Sequence, residues 1–187
     1  STASGETVHL NLVDLPGYPD FRGPALAALD AVETALVVVD AAAGVEHGTR
    51  RMMERARERG LCRAIVVNRI DVDGADPART LAQLREAFGG TVLPLNLPAG
   101  GGARVVDCFG QADGDSDLGP VADWHQRILD QVVEVNETVM DHYLELGESG
   151  LTGAELHDAF EQCLREGHLV PVCFASARTG AGVRELL

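Results

Sequence analysis

The chain has 187 residues, enough for one domain or for one domain with a sizeable insertion. Hydrophobic residues make up 45%, which supports a real core; no apolar run approaches the roughly 18 residues of a membrane span, and no signal-peptide pattern is present. The formal net charge is −14, which weighs against direct binding of nucleic acid, since phosphate binding needs clustered cations. All 15 basic residues are arginines. The four cysteines include no C-x-x-C pair and read as reduced thiols of a soluble cytoplasmic protein rather than a disulfide or zinc site. His142 with Glu145, and His157 with Glu161, fall at helical spacing and read as exposed polar faces, not metal ligands.

In chain order, residues 8–14 predict a strand and 25–33 a short helix. Residues 35–40 are an apolar β-rich run, and 47–59 a charged amphipathic helix stopped by Gly60. Residues 63–68 predict a buried strand. Asp76 is an N-cap with Pro77 at the first helical position, and that helix runs to Gly89-Gly90. Strands and helices alternating at these lengths predict a mostly parallel α/β sheet with helices on both faces. The rhythm then changes. Residues 91–97 and 103–109 predict two strands joined by Gly100-Gly101-Gly102, and 111–119 a loop. A single long helix is expected from about 120 to 146, because Val121, Trp124, Ile128, Val132, Val135, Val139 and Tyr143 advance by three or four. Thr152-Gly153-Ala154-Glu155 has the form of a capping box and opens another helix, ending near Gly167. Residues 169–175 return to a buried strand, 179–182 form a turn, and a helix begins at Val183. The chain opens at Ser1, not Met, and stops one turn into that helix, so it reads as a piece of a longer protein.

Three short elements carry chemistry, each just past a predicted strand, where ligands sit in open α/β sheets. In Asp14-Leu15-Pro16-Gly17, a carboxylate can hold magnesium through water, and the glycine lets a backbone N–H approach a terminal phosphate. In Asn68-Arg69-Ile70-Asp71, the aspartate can accept from N1–H and N2–H₂ of guanine, a donor pair adenine lacks. The asparagine can bond the base's other edge and tie loops together, and the Arg69 stem can lie over the purine plane as lysine does in N-K-x-D. In Ser176-Ala177, a small residue lets a backbone N–H reach guanine O6. Each alone is an ordinary turn. Their order and their placement at three strand ends predict a GTP-binding domain.

DLPGYPDF at 14–21 resembles the D-T-P-G-H-V-D-F of elongation factor G and its ribosomal GTPase relatives. Between Asp71 and Ser176 lie 105 residues, where small GTPases need about one strand–helix unit and elongation factor G carries an inserted subdomain. Asp123-Trp124-His125-Gln126 and the helix after it resemble that subdomain's W-H-Q helix. The resemblance covers nearly the whole chain. It implies a P-loop-type core at 1–90 and 168–187, an inserted α+β subdomain at 91–167, and a translational GTPase acting on the ribosome. GTP or GDP and Mg²⁺ would be its ligands, and a ribosomal protein would meet the inserted subdomain.

Three departures qualify this. Tyr18 stands at the place of the family's switch histidine, which helps position the attacking water. A tyrosine hydroxyl keeps its proton at neutral pH, so it can orient water but is a poor base, which points to a paralogue of the housekeeping factor. Arg69 replaces lysine and keeps the stacking role. No G-x-x-x-x-G-K-[ST] is present, and with no lysine in the chain none is concealed; Gly100-Gly101-Gly102 joins two strands and does not substitute. Thr179-Gly180-Ala181-Gly182 lacks the βαβ continuation of a dinucleotide fingerprint. The family layout puts the first strand and phosphate loop upstream of Ser1 and that strand in the middle of the sheet, so either an unstable piece or an apolar gap where the strand belongs is expected. Little or no GTP hydrolysis is expected from this piece alone. The other reading is a ribosome-associated interaction module with a degenerate, non-hydrolysing core.

Overall fold

The computed structural model describes residues 9–18, 20 and 22–186. Its centre is a four-stranded, all-parallel sheet. Helix α1 (Arg22–Ala28) and a short 3₁₀ turn (Leu29–Ala31) lead into β1 (Thr34–Asp40). Helix α2 (His47–Glu58) returns the chain to β2 (Cys62–Asn68), and α3 (Pro77–Phe88) to β3 (Val92–Pro94). After a long excursion, β8 (Val170–Phe174) enters between β2 and β3, giving the order β1-β2-β8-β3.

The caps foreseen in the sequence are made. Asp76 accepts from Arg79 N at 2.8 Å at the start of α3, with Pro77 at its first position. Gly60 takes φ +68° where α2 ends.

Register explains the core. Val37, Ile65 and Val172 line up on one face, followed by Val39, Val67 and Phe174, and pack under Met53 of α2 and Leu81 and Leu84 of α3. The opposite face carries Val66 and Cys173, both buried. At β1 that cover ends: Leu36 is 46% and Val38 60% exposed. β1 is an edge strand, paired only with β2 among the described residues.

The expected strand at 8–14 is not formed over its described residues. Residues 9–14 are irregular and exposed, and Val8 lies outside the described residues. A strand needs a partner for its backbone groups, and this segment pairs with no strand among the described residues. It lies beside the groove along β1 instead, where Val13–Tyr18 share a wall with Leu36–Val38 and the start of α2.

The excursion builds a second core. The single strand expected at 91–97 is two: β3 joins the parallel sheet, then β4 (Asn96–Ala99) turns away to form a hairpin with β5 (Arg104–Asp107). The turn between them carries three glycines, all at positive φ. The loop at 111–119 holds a two-residue ladder, β6 (Asp115–Ser116) with β7 (Gly119–Pro120).

The expected long helix is broken into α4 (Val121–Val133) and α5 (Glu137–Leu146). Asn136 adopts an extended conformation, and its carboxamide accepts from Thr138 N and Val139 N, so it caps a new helix instead of continuing the old one. The apolar period survives the break, which is why it reads as continuous. Helix α6 (Gly153–Arg165) has both halves of its capping box, Thr152 with Glu155. Leu97, Val121, Ile128, Val132, Val139 and Cys163 are central to this second core. Trp124 joins it to the first: its ring lies 4.7 Å from the Arg127 guanidinium and 5.9 Å from that of Arg85. His125 is buried, with Nδ1 3.0 Å from Cys108 O and Nε2 3.0 Å from Glu148 Oε1. Burial pushes the Cys108 thiol up to about 12, and those of Cys163 and Cys173 to about 11. No helix among the described residues is long and apolar enough to cross a membrane.

Candidate functional site

The loops leaving β2 and β8 meet at the carboxyl end of the sheet. The Asn68 carboxamide oxygen accepts from two backbone amides, Arg69 N at 2.8 Å and Ala177 N at 3.0 Å. One side chain therefore pins segments 109 residues apart. Accepting from its own neighbour bends the backbone sharply: Arg69 has φ +66°, the one non-glycine at positive φ among the described residues. That conformation costs roughly 1–2 kcal/mol. Buried Ile70 anchors the loop below it. The Arg69 head turns to Asp40 at the end of β1, with Nη1 2.5 Å from Oδ2.

The second loop is closed by its own backbone. Ser176 N donates to Ala181 O and Gly180 N to Ser176 O, both at 2.8 Å. The buried Ser176 hydroxyl accepts from Thr179 N at 3.2 Å. This is a tight turn ahead of α7 (Val183–Leu186).

Asp71 lies between the loops with its side chain only 7% exposed. Oδ2 accepts from Arg178 Nε at 2.9 Å and Nη2 at 2.5 Å. Oδ1 is buried and has no hydrogen-bond partner. The neighbouring Ser176 hydroxyl, and then the Arg178 guanidinium, hold the carboxyl below its usual range. Asp40 is also lowered, first by the Ala42 N–H and further by Ala43 N and Arg69.

Carboxyls with folded values below their unfolded ones stabilise the fold above the ordinary carboxylate range, and that stabilisation is lost as pH falls below it. The urea midpoint of the chain should thus hold near neutrality and drop below about pH 4. Asp40→Asn should flatten part of that acid limb; an unchanged slope would count against the pairing.

Asn68, Arg69, Asp71, Ser176 and Ala177 are brought together. Asp14, Gly17 and Tyr18 are not part of that cluster; all three are exposed and lie along the β1 groove. Four contributors were missed in the sequence. Arg178 follows Ser176-Ala177 and covers Asp71. Asp40 holds Arg69. Gly102 brings the β4–β5 turn so close to the first loop that a Cβ there would lie 2.0 Å from Ile70 O. Gly182 approaches β8 as tightly, 2.1 Å from Phe174 O by the same measure. Only a polar residue one step past S-A, and an aspartate ending a buried strand, gave any signal in advance.

The donor set suits a guanine base: a buried carboxylate oxygen lacking a donor, beside a small residue, Ala177, whose loop is held by Asn68. For magnesium the protein offers less. No group of three or more His, Cys, Asp or Glu side chains is arranged to hold a metal among the described residues. Exposed Asp14 offers one carboxylate, which suits Mg²⁺ when phosphate oxygens and water complete its octahedron.

Comparison with known proteins places the whole chain in one family. The model of the elongation factor Tu GTP binding domain matches residues 1–187. An elongation factor G-like protein of Mycobacterium tuberculosis is 31% identical over 195 residues, covering 96% of this chain and 27% of the relative. Peptide chain release factor 3 of Streptococcus pyogenes is 30% identical over 185 residues, covering 95% of this chain and 34% of the relative. A crystal structure of a Thermus thermophilus protein superposes with a TM-score of 0.79 at 36% identity, over 92% of this chain and 28% of that one. The chain thus spans about a quarter to a third of the length of these relatives. By the match along its whole length, the chain belongs to the elongation factor Tu GTP-binding domain family of translational GTPases.

Proposed function

We propose that this chain is the guanine-reading and switch part of a longer elongation-factor-G-like GTPase that works on the ribosome in the cytoplasm. Residues 1–90 and 168–187 form the GTP-binding core, with β3 as a shared strand, and 91–167 form the inserted subdomain. The observation that carries the reading is the pair of loops pinned by Asn68 around the partnerless Oδ1 of Asp71.

Asp71 accepts the N1–H and N2–H₂ of guanine, and the Ala177 N–H, shared with Asn68 Oδ1, faces O6. Arg69 lies over the purine, its head held by Asp40. Asp14 holds Mg²⁺ through water, and the Gly17 N–H reports the γ-phosphate. The metal, when bound, neutralises charge on the phosphates. Tyr18 orients the attacking water and leaves its activation to other groups. The phosphate cradle is not supplied by these residues, which include no lysine. Alone, the chain binds GTP weakly and does not turn it over. Its acidic surface favours a basic ribosomal protein over RNA as the partner of the inserted subdomain.

The test is a change of base preference in the longer protein. Asp71→Asn replaces an acceptor by an amide that can donate to the C2 carbonyl of xanthine. GDP affinity should fall by about 100-fold or more while XDP affinity rises. Retained preference for GDP in a nucleotide-binding titration would remove Asp71 from the base site and sink the reading.

A further inference from the structure

Arg178 does something to Asp71 that the guanine reading does not require. Its side chain is 75% exposed, yet its guanidinium lies over a carboxylate left 7% exposed. Both of its hydrogen bonds, from Nε and Nη2, go to one oxygen, Oδ2. The other oxygen, Oδ1, is buried without a partner. To a carboxylate, a guanidinium and the N1–H/N2–H₂ edge of guanine are the same kind of object: a planar fork of parallel N–H donors. They cannot engage the same carboxylate together, because the base needs both oxygens and Arg178 holds one of them and covers the approach.

We infer that Arg178 is an internal stand-in for the guanine edge, closing the Asp71 acceptor until a guanine nucleotide displaces it. The inference rests on the reading of Asp71 as the guanine acceptor. The arrangement is built to open. A mostly exposed arginine ion pair is weak, and water replaces its hydrogen bonds once it swings out. Arg178 makes no other side-chain bond among the described residues that would hold it in place. While closed it keeps Asp71 ionised and oriented, and it blocks ligands that cannot offer an equivalent donor fork. The cost is a competent fraction below one, which raises the apparent Kd by the inverse of that fraction.

The experiment is a fluorescent-GDP titration of the full-length protein, unaltered and with Arg178→Ala or Arg178→Lys. Arg178→Ala should bind GDP about fivefold more tightly, the scale of an exposed ion pair. Arg178→Lys, which keeps the charge but not the fork, should fall between the two. A second pair of proteins separates competition from loosening of the loop. With Asp71→Asn and XDP as the probe, the guanidinium has no carboxylate to cover, so adding Arg178→Ala should leave XDP affinity unchanged. Equal or weaker GDP binding by Arg178→Ala overturns the stand-in role, as does an equal gain for XDP in the Asp71→Asn background. Absence of GDP binding by the unaltered protein is a different failure: it removes the guanine site itself, and the inference with it.

Discussion

Replacing Asn96 by alanine is expected to lower stability by about 2–5 kcal/mol, one of the two largest effects in the chain. Asn96 is buried at 1% exposure in an otherwise apolar run. Beside it, β3 ends at Pro94, and Leu95 N makes the last backbone bond to Val172 O at 2.9 Å. From there the chain departs into β4, and β8 loses its neighbour on that side. The Asn96 carboxamide takes over: Nδ2 donates to Phe174 O at 3.1 Å, and Oδ1 accepts from Phe174 N at 2.6 Å. A side chain thus supplies the pairing of one strand residue, directly before the loop that carries Ser176 and Ala177. Alanine leaves both backbone groups of Phe174 buried and unpaired, each costing about 1–3 kcal/mol. The urea midpoint followed by Trp124 fluorescence, with amide exchange at Phe174, reads the loss. Unaltered protection of the Phe174 amide in Asn96→Ala would show that the bond contributes little.

Gly182→Ala is the second. Gly182 has φ +74°, and a Cβ there would sit 2.1 Å from Phe174 O and 3.1 Å from Ala175 Cα. Those neighbours are the last turn of a buried strand and cannot move away as a flexible side chain would. The left-handed backbone alone costs roughly 1 kcal/mol for alanine, and the clash should bring the total to about 2–4 kcal/mol. Gly180 is the matched control: φ is +85°, but nothing lies within 4 Å of its Cβ position. Gly180→Ala should therefore show the backbone penalty alone. If the two substitutions shift the urea midpoint equally, the tight approach of Gly182 to β8 carries no weight. Displacing this loop also moves Ala177 and Ser176, so Gly182→Ala should weaken GDP binding by the longer protein where Gly180→Ala does not.

Where local rules dominate, the elements were legible. Asp76-Pro77, Gly60 and the Thr152–Glu155 box end or start helices through bonds made within a few residues. The apolar runs of β1, β2 and β8 each follow their own pattern. Three elements were misread, two of them for non-local reasons. Residues 9–14 have a strand's composition but no paired neighbour among the described residues. Residues 92–99 split because Pro94 and Asn96 face different partners, β8 on one side and β5 beyond. Asn136 breaks a helix whose apolar face continues on either side, since its own cap outweighs one more helical turn.

The same division runs through the candidate site. Sequence order alone determined that N-x-x-D and S-A fall at strand ends, because strand ends and turns are set by neighbouring residues; D-x-x-G, expected after a strand, follows an irregular segment instead. The sequence also determined that no lysine-bearing phosphate loop lies within these residues, since composition needs no fold. The tertiary structure decided which of these elements meet. Parallel entry of β8 beside β2 brings Asn68 to Ala177, and the same register lays Arg178 over Asp71. Those contacts span more than 100 residues of chain. Their existence depends on which strands pair in one sheet, a choice made by the packing of both faces together and not by any single segment.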